Sequence, residues 1–226
     1  VHPPLPFNAR AARALREKLG MAPGHVAYGM RASFGTSHIT PEHVIAWERG
    51  THVPDAGELT ALAGALWCRP SELMGHPGTL LEHRIARGVS AEDVARATGL
   101  TLDAYLRMEE AGRWTGDKRQ SAKLGEVLRL PPRDFIAITR LEEELARLLT
   151  EAVSTRWQAH IRAIAKLVSM DRRDLKAPLQ AMEQDYQALM TATLSRAGGT
   201  TASGEDGRRY LENIVDHFWS RVPGSS

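Results

Sequence analysis

The chain has 226 residues, 42% of them hydrophobic and 25% charged, with 29 basic against 27 acidic groups. That composition belongs to an ordinary globular protein with room for two or three small domains; it excludes collagen-like, disulfide-rich and disordered chains. The single cysteine, Cys68, excludes an intramolecular disulfide framework and a cysteine-cluster metal site, and it fits a reducing cytoplasm.

No apolar run approaches the roughly 18–20 residues that cross a bilayer. The opening Val1-His2-Pro3-Pro4-Leu5-Pro6 lacks the basic-then-apolar order of a secretory leader. The expected location is therefore cytoplasmic, with no membrane partner. Net charge along the chain is +1 for residues 1–78, +2 for 79–140 and −1 for 141–226. A phosphate-binding surface needs local clustering, so these totals do not by themselves announce nucleic acid.

Hairpin turns between alternating runs are missing and helical periodicity is nearly continuous, so the expected fold class is all-α. Asn8 caps a first helix to Gly20, with Leu15 and Leu19 on one face. Pro23 opens a second, with Val26, Ala27 and Met30 facing inward. Thr40-Pro41-Glu42 starts a third: a capping hydroxyl, proline at the first helical position, then an acid at the positive dipole end. It runs through Val44, Trp47 and Glu48 to Gly50. After Pro54-Asp55 comes a helix carrying Leu59, Leu62, Ala63 and Leu66, then a short one from Pro70 with Leu73 and Met74.

Past Gly75-His76-Pro77-Gly78 the same order returns, which marks an internal repeat. Its expected helices are Leu80 to Arg87, Ala91 to Ala97 capped by Ser90, a third from Thr101 to Gly112, Ala122 to Leu128 and Pro131 to Ile138. The predicted organisation is thus residues 8–75, 79–140 and 141–226. The last part carries one stripe from Leu141 through Leu145, Leu148, Leu149, Trp157, Ile161, Ile164 and Leu167. It continues with helices over 173–194 and 208–221, joined by a Gly-rich linker at 197–207.

The first repeat resembles the Cro/phage-repressor (XRE-like) helix-turn-helix domain. The resemblance rests on Leu15-Arg-Glu-Lys-Leu19-Gly20, Val26-Ala27, Ile39-Thr40, Val44, Ala46-Trp47-Glu48-Arg49-Gly50, Pro54, Leu59, Leu62-Ala63, Leu66 and Glu72-Leu73. The second resembles it through Arg84, Gly88-Val-Ser90, Val94-Ala95, Gly99-Leu-Thr101, Tyr105, Met108-Glu109 and Gly112. This resemblance implies tandem lambda-repressor-like five-helix domains and a bacterial regulator that binds double-stranded DNA. Three departures stand out. Eleven residues, Tyr28 to His38, separate Ala27 from Ile39 where the family has about four. Ala22 replaces a capping serine. Trp67 stands where a glycine ends the fourth helix.

A helix about 10–12 Å wide fits the major groove and reads base edges with its N-terminal turn. By alignment, the exposed positions of the first recognition helix are Thr40, Pro41, Glu42, His43, Ile45 and Ala46. Glu42 can accept from cytosine N4, His43 can reach a purine acceptor or a phosphate, and Ile45 or Ala46 can touch a thymine methyl. Thr40 and Arg49 suit phosphates, as do Arg31 and His38 from the added segment. The sequence leaves open that Glu42 only offsets the helix dipole and that His43, Arg31 and His38 are plain surface. The second recognition helix, with Leu102, Asp103, Ala104, Leu106 and Arg107, reads better as a packing or dimer-forming surface.

No histidine spacing matches a metal site, and no phosphate loop or nucleophile elbow is present, so neither enzyme chemistry nor a cofactor is expected. Cys68 reads as a buried, inert thiol. Homodimerisation is expected because one such helix touches few base pairs. The 141–226 region is then an oligomerisation or effector part; Trp157, Tyr186, Phe218 and Trp219 read first as packing residues of amphipathic helices, with the lining of a small-molecule effector pocket as the alternative. The rival reading is a helical interaction adaptor whose helix-turn-helix folds bind protein.

Overall fold

A computed structural model describes residues 4–195 and 203–223. The fold is all-α; among the described residues the one pairing outside helices is an isolated antiparallel bridge between Phe7 and Met74. No helix is long and apolar enough to cross a membrane. The chain divides into two compact units, Val1–Arg129 and Leu130–Ser226.

The first unit begins with α1 (Ala9–Lys18), α2 (Pro23–Phe34), α3 (Pro41–Glu48) and α4 (Ala56–Ala65), closed by a 3-10 turn at Pro70–Leu73. Local chemistry sets these boundaries. Asn8 Oδ1 accepts from Ala11 N–H at 3.0 Å, satisfying one of the free donors of α1. Asp55 and Glu58 cap α4 reciprocally at 2.8 and 2.9 Å. Val26, Ala27, Met30, Ile39, Val44, Trp47, Leu59 and Leu62 form the core, and fully burying each large one contributes about 1.5–3 kcal/mol.

The second run consists of α5 (Leu80–Arg87), α6 (Ala91–Thr98), α7 (Leu102–Glu110) and α8 (Lys118–Leu128). Ser90, Thr101 and Asp117 cap α6, α7 and α8 through side-chain oxygens. Compared with the first run, seven residues are missing between the second and third helices. Four of them lengthen α2 relative to α6, and the rest lengthen the following connection. Both helices stop at a glycine in the left-handed region, Gly35 at φ +69° and Gly99 at φ +73°. The added segment is therefore chiefly extra helix, through Phe34, with a short turn at its end.

Trp67 takes the left-handed position after α4 expected of glycine, at φ +52°, with its side chain 82% exposed. A Cβ there is strained by about 1–2 kcal/mol, and the indole recovers little of that by packing. Trp67→Gly is expected to stabilise the protein by roughly 0.5–1 kcal/mol, after allowing for the greater freedom of glycine when unfolded. Urea denaturation checks this; a destabilised variant would show that the ring contributes packing. Neighbouring Cys68 is half-buried against the core, not fully buried as expected. Burial, reinforced by the Glu72 charge, pushes its thiol up to about 11, which makes it a poor nucleophile.

The second unit holds α9 (Pro132–Thr139), α10 (Glu142–Ser154), α11 (Trp157–Leu167), α12 (Arg172–Ser195), α13 (Ser203–Glu212) and α14 (Ile214–Trp219). Helix α9, read from sequence as the end of the second repeat, packs here: Ile136 shares a core with Leu145, Leu149, Ile164, Leu179 and Phe218. Two expectations are corrected. The single stripe over 141–167 is two helices, broken at Thr155, whose hydroxyl donates to the Glu151 carbonyl at 2.6 Å. Of the expected linker, 203–207 is the start of α13, where Glu205 and Asp206 suit the positive dipole end. Residues 197–202 lie outside the described residues.

Candidate nucleic-acid interface

Helix α3 is held from behind by an ion pair that reaches across the fold. Arg16 on α1 donates through Nε and Nη2 to the two Glu48 oxygens at 2.6 and 2.8 Å, and through Nη1 to the Met21 carbonyl at 2.8 Å. The second run repeats this brace. Arg84 on α5 donates to both oxygens of Glu109 on α7 at 2.7 and 3.0 Å, and to the Val89 carbonyl at 3.2 Å. In each case the carbonyl lies five residues beyond the arginine. Bidentate pairing fixes orientation as well as distance, so the first and third helices of each run are locked together.

Glu109 is the more buried of the two carboxylates, at 5% exposure against 9% for Glu48, while the arginines are similar at 15% for Arg84 and 12% for Arg16. Tyr105 Oη also donates to Glu109, at 2.6 Å. Burial, the hydrogen bond to Glu109 and its charge together push the tyrosine's pKa well up. Burial works against the Arg84 charge, but the Glu109 hydrogen bond and charge outweigh it and raise the guanidinium's pKa.

In front of its brace, α3 exposes Glu42, His43 and Arg49 and buries Val44 and Trp47. In its first turn Glu42 and His43 face outward, whereas Pro41 is half-buried beside α2 and Val44 is buried. Thr40 N–H points at His43 Nδ1 at 3.2 Å, and a backbone N–H can only donate. Nδ1 is therefore the acceptor, and the ring proton sits on Nε2. The Thr40 hydroxyl lies 3.0 Å from the same Nδ1 and also serves the Glu42 carboxylate. Hydrogen bonding from Thr40, then from its own backbone N–H, holds the exposed Glu42 carboxyl below the usual carboxylate range. Glu42 is thus an acceptor only, and it already occupies the positive end of α3.

The other predicted positions are distributed differently. Thr40, Pro41, Ile45 and Ala46 are half-buried. Pro41 faces α2, where a Cβ added to Gly24 would lie 3.9 Å from its Cγ. Arg31 Nη1 donates to the Ile39 carbonyl at 2.6 Å, which ties the α2–α3 connection down. His38 Nε2 donates to Glu58 at 2.9 Å. The exposed predicted positions are therefore Arg31, His38, Glu42, His43 and Arg49, with half-buried Ile45 and Ala46 between the last two. Sequence reasoning missed the bracing role of Arg16; the signal available for it was an arginine near the end of the first helix in both repeats.

On α7, Leu106 is 42% exposed but Leu102 is half-buried, so only one of the two leucines expected at the surface is exposed. The candidate effector lining also disperses: Phe218 and Trp219 are core residues and Tyr186 packs against that core. Trp157 packs against the same core and lines a cleft. Among the described residues no group of three or more histidine, cysteine, aspartate or glutamate side chains is gathered as for a metal ion. No known family, curated protein or solved structure matches this chain.

Proposed function

We propose that the protein is a sequence-specific DNA-binding transcriptional regulator that reads the major groove with α3 and acts as a homodimer. The observation that carries this reading is the exposure of Glu42 and His43 in the first turn of α3, backed by the Arg16–Glu48 brace and a buried Trp47. An obligate acceptor at Glu42 matches cytosine N4, and a donor at His43 Nε2 matches a purine O6 or N7, or a phosphate. Arg49, at the far end, is placed to position the helix on the backbone. Two copies, with recognition helices about 34 Å apart along the duplex, add their contacts.

Glu42→Ala is expected to relax base preference at one position by about 1–3 kcal/mol; Arg49→Ala is expected to weaken all sequences similarly and lower the salt slope by about 1. Selection from a random duplex library followed by titration checks both. If the two variants select and bind like wild type, α3 is not the reading element.

The adaptor reading is favoured by one observation, exposed Leu106 in the second turn of α7 on a chain of nearly neutral charge. A mobility shift whose affinity does not depend on salt, or no shift at all, supports the adaptor over the regulator.

A further inference from the structure

The −1 total for residues 141–226 hides a segregated charge. Between residues 156 and 176 the sequence carries six basic and two acidic residues. Five of those cations line one cleft of about 950 Å³ in the second unit: Arg162 and Lys166 from α11, and Arg172, Arg173 and Lys176 from α12. All five are exposed, and none has an acidic partner among the described residues. The one carboxylate on the wall, Asp171, caps α12 by accepting from Arg173 N–H at 2.7 Å. Five solvated cations around a shared space give the cleft a positive potential that draws anions to it.

The shape narrows the anion. The cleft opens broadly to solvent, whereas sites for small molecules enclose most of their ligand. Arg162 and Lys166, like Arg172 and Lys176, are four residues apart on their helices, about 6 Å along the axis. Cations from both helices at that repeat can meet every second phosphate of a strand, whose charges recur about every 3.4 Å along the axis. Trp157 and Ile161 supply an apolar strip on the same wall for sugar rings.

We infer that the α11–α12 cleft binds the sugar–phosphate backbone of a nucleic acid, as a second, sequence-independent contact. It stands apart from the α3 reading, because it concerns other residues and predicts no base preference.

The test is fluorescence anisotropy of the full-length protein on a random-sequence 30-bp duplex (an arbitrary length of about three turns), as DNA and as RNA, across salt. The cleft variant is Arg162→Gln/Lys166→Gln/Lys176→Gln. A charge-matched control, Arg147→Gln/Arg208→Gln/Arg209→Gln, removes three exposed cations of the same unit outside the cleft. The cleft variant is expected to lower the slope of log affinity against log salt by about 2–3 and to bind about ten- to a hundredfold more weakly near physiological salt. The control is expected to change little. A loss on DNA, on RNA or on both supports the site and identifies the polymer. Unchanged slopes, or equal losses in both variants, overturn it. So does a cleft variant that alters only self-association in sedimentation, since the cleft then receives acidic groups of a second copy. Failure of the α3 reading shows separately, as unchanged base preference in Glu42→Ala with the cleft slope intact.

Discussion

Glu109→Ala is expected to destabilise the first unit by about 3–5 kcal/mol, the cost of breaking a buried ion pair from one side. The variant leaves Arg84 charged and largely buried, and leaves the Tyr105 hydroxyl without its acceptor in a position closed to solvent. Removing both partners together should cost less than twice the single effect, because the orphaned charge disappears with Arg84. Glu48→Ala is expected to cost less than Glu109→Ala. Glu48 is somewhat more exposed than Glu109, at 9% against 5%, and no tyrosine donates to it as Tyr105 does to Glu109. Urea denaturation of the three variants, read by circular dichroism, decides the order; equal losses at Glu48 and Glu109 would show that the tyrosine adds nothing.

Trp114→Ala is expected to cost about 3–5 kcal/mol, as for a large aromatic removed from a core. The indole is buried, and its Nε1–H donates to Ser121 Oγ at 2.8 Å, which fixes the ring on the face of Gly116. A Cβ added at Gly116 would stand 2.3 Å from Trp114 Cζ2. The ring cannot retreat without losing its hydrogen bond, so Gly116→Ala is expected to cost about 1–3 kcal/mol by overpacking. Thermal unfolding checks both, and a neutral Gly116→Ala would mean that the loop before α8 yields. The same arrangement removes Trp114 from any nucleic-acid contact, although the neighbouring Arg113, Lys118 and Arg119 remain exposed.

The helices of the first unit were legible because their boundaries are local chemistry. Asn8, Asp55, Ser90 and Thr101 each cap the helix they precede, and apolar spacing marks the buried face. The braces were not legible as contacts, since Arg16 and Glu48 are 32 residues apart and Arg84 and Glu109 are 25 apart. Periodicity also fails where a stripe runs through a break. Val153, Trp157 and Ile161 keep a four-residue repeat across the end of α10, and no glycine or proline marks Thr155. On α3, residue types identified Glu42 and His43, but which neighbours occupy their hydrogen-bonding groups depended on side-chain geometry. The basic cleft escaped notice because charge was summed over a whole region, and opposite signs on different helices cancelled.

The seven added residues enter between α2 and α3, and both ends of the Arg16–Glu48 brace lie outside that stretch. Four of those residues extend α2 and three extend the connection, which Arg31 pins at the Ile39 carbonyl, so the extra length is taken up without displacing either end of the brace.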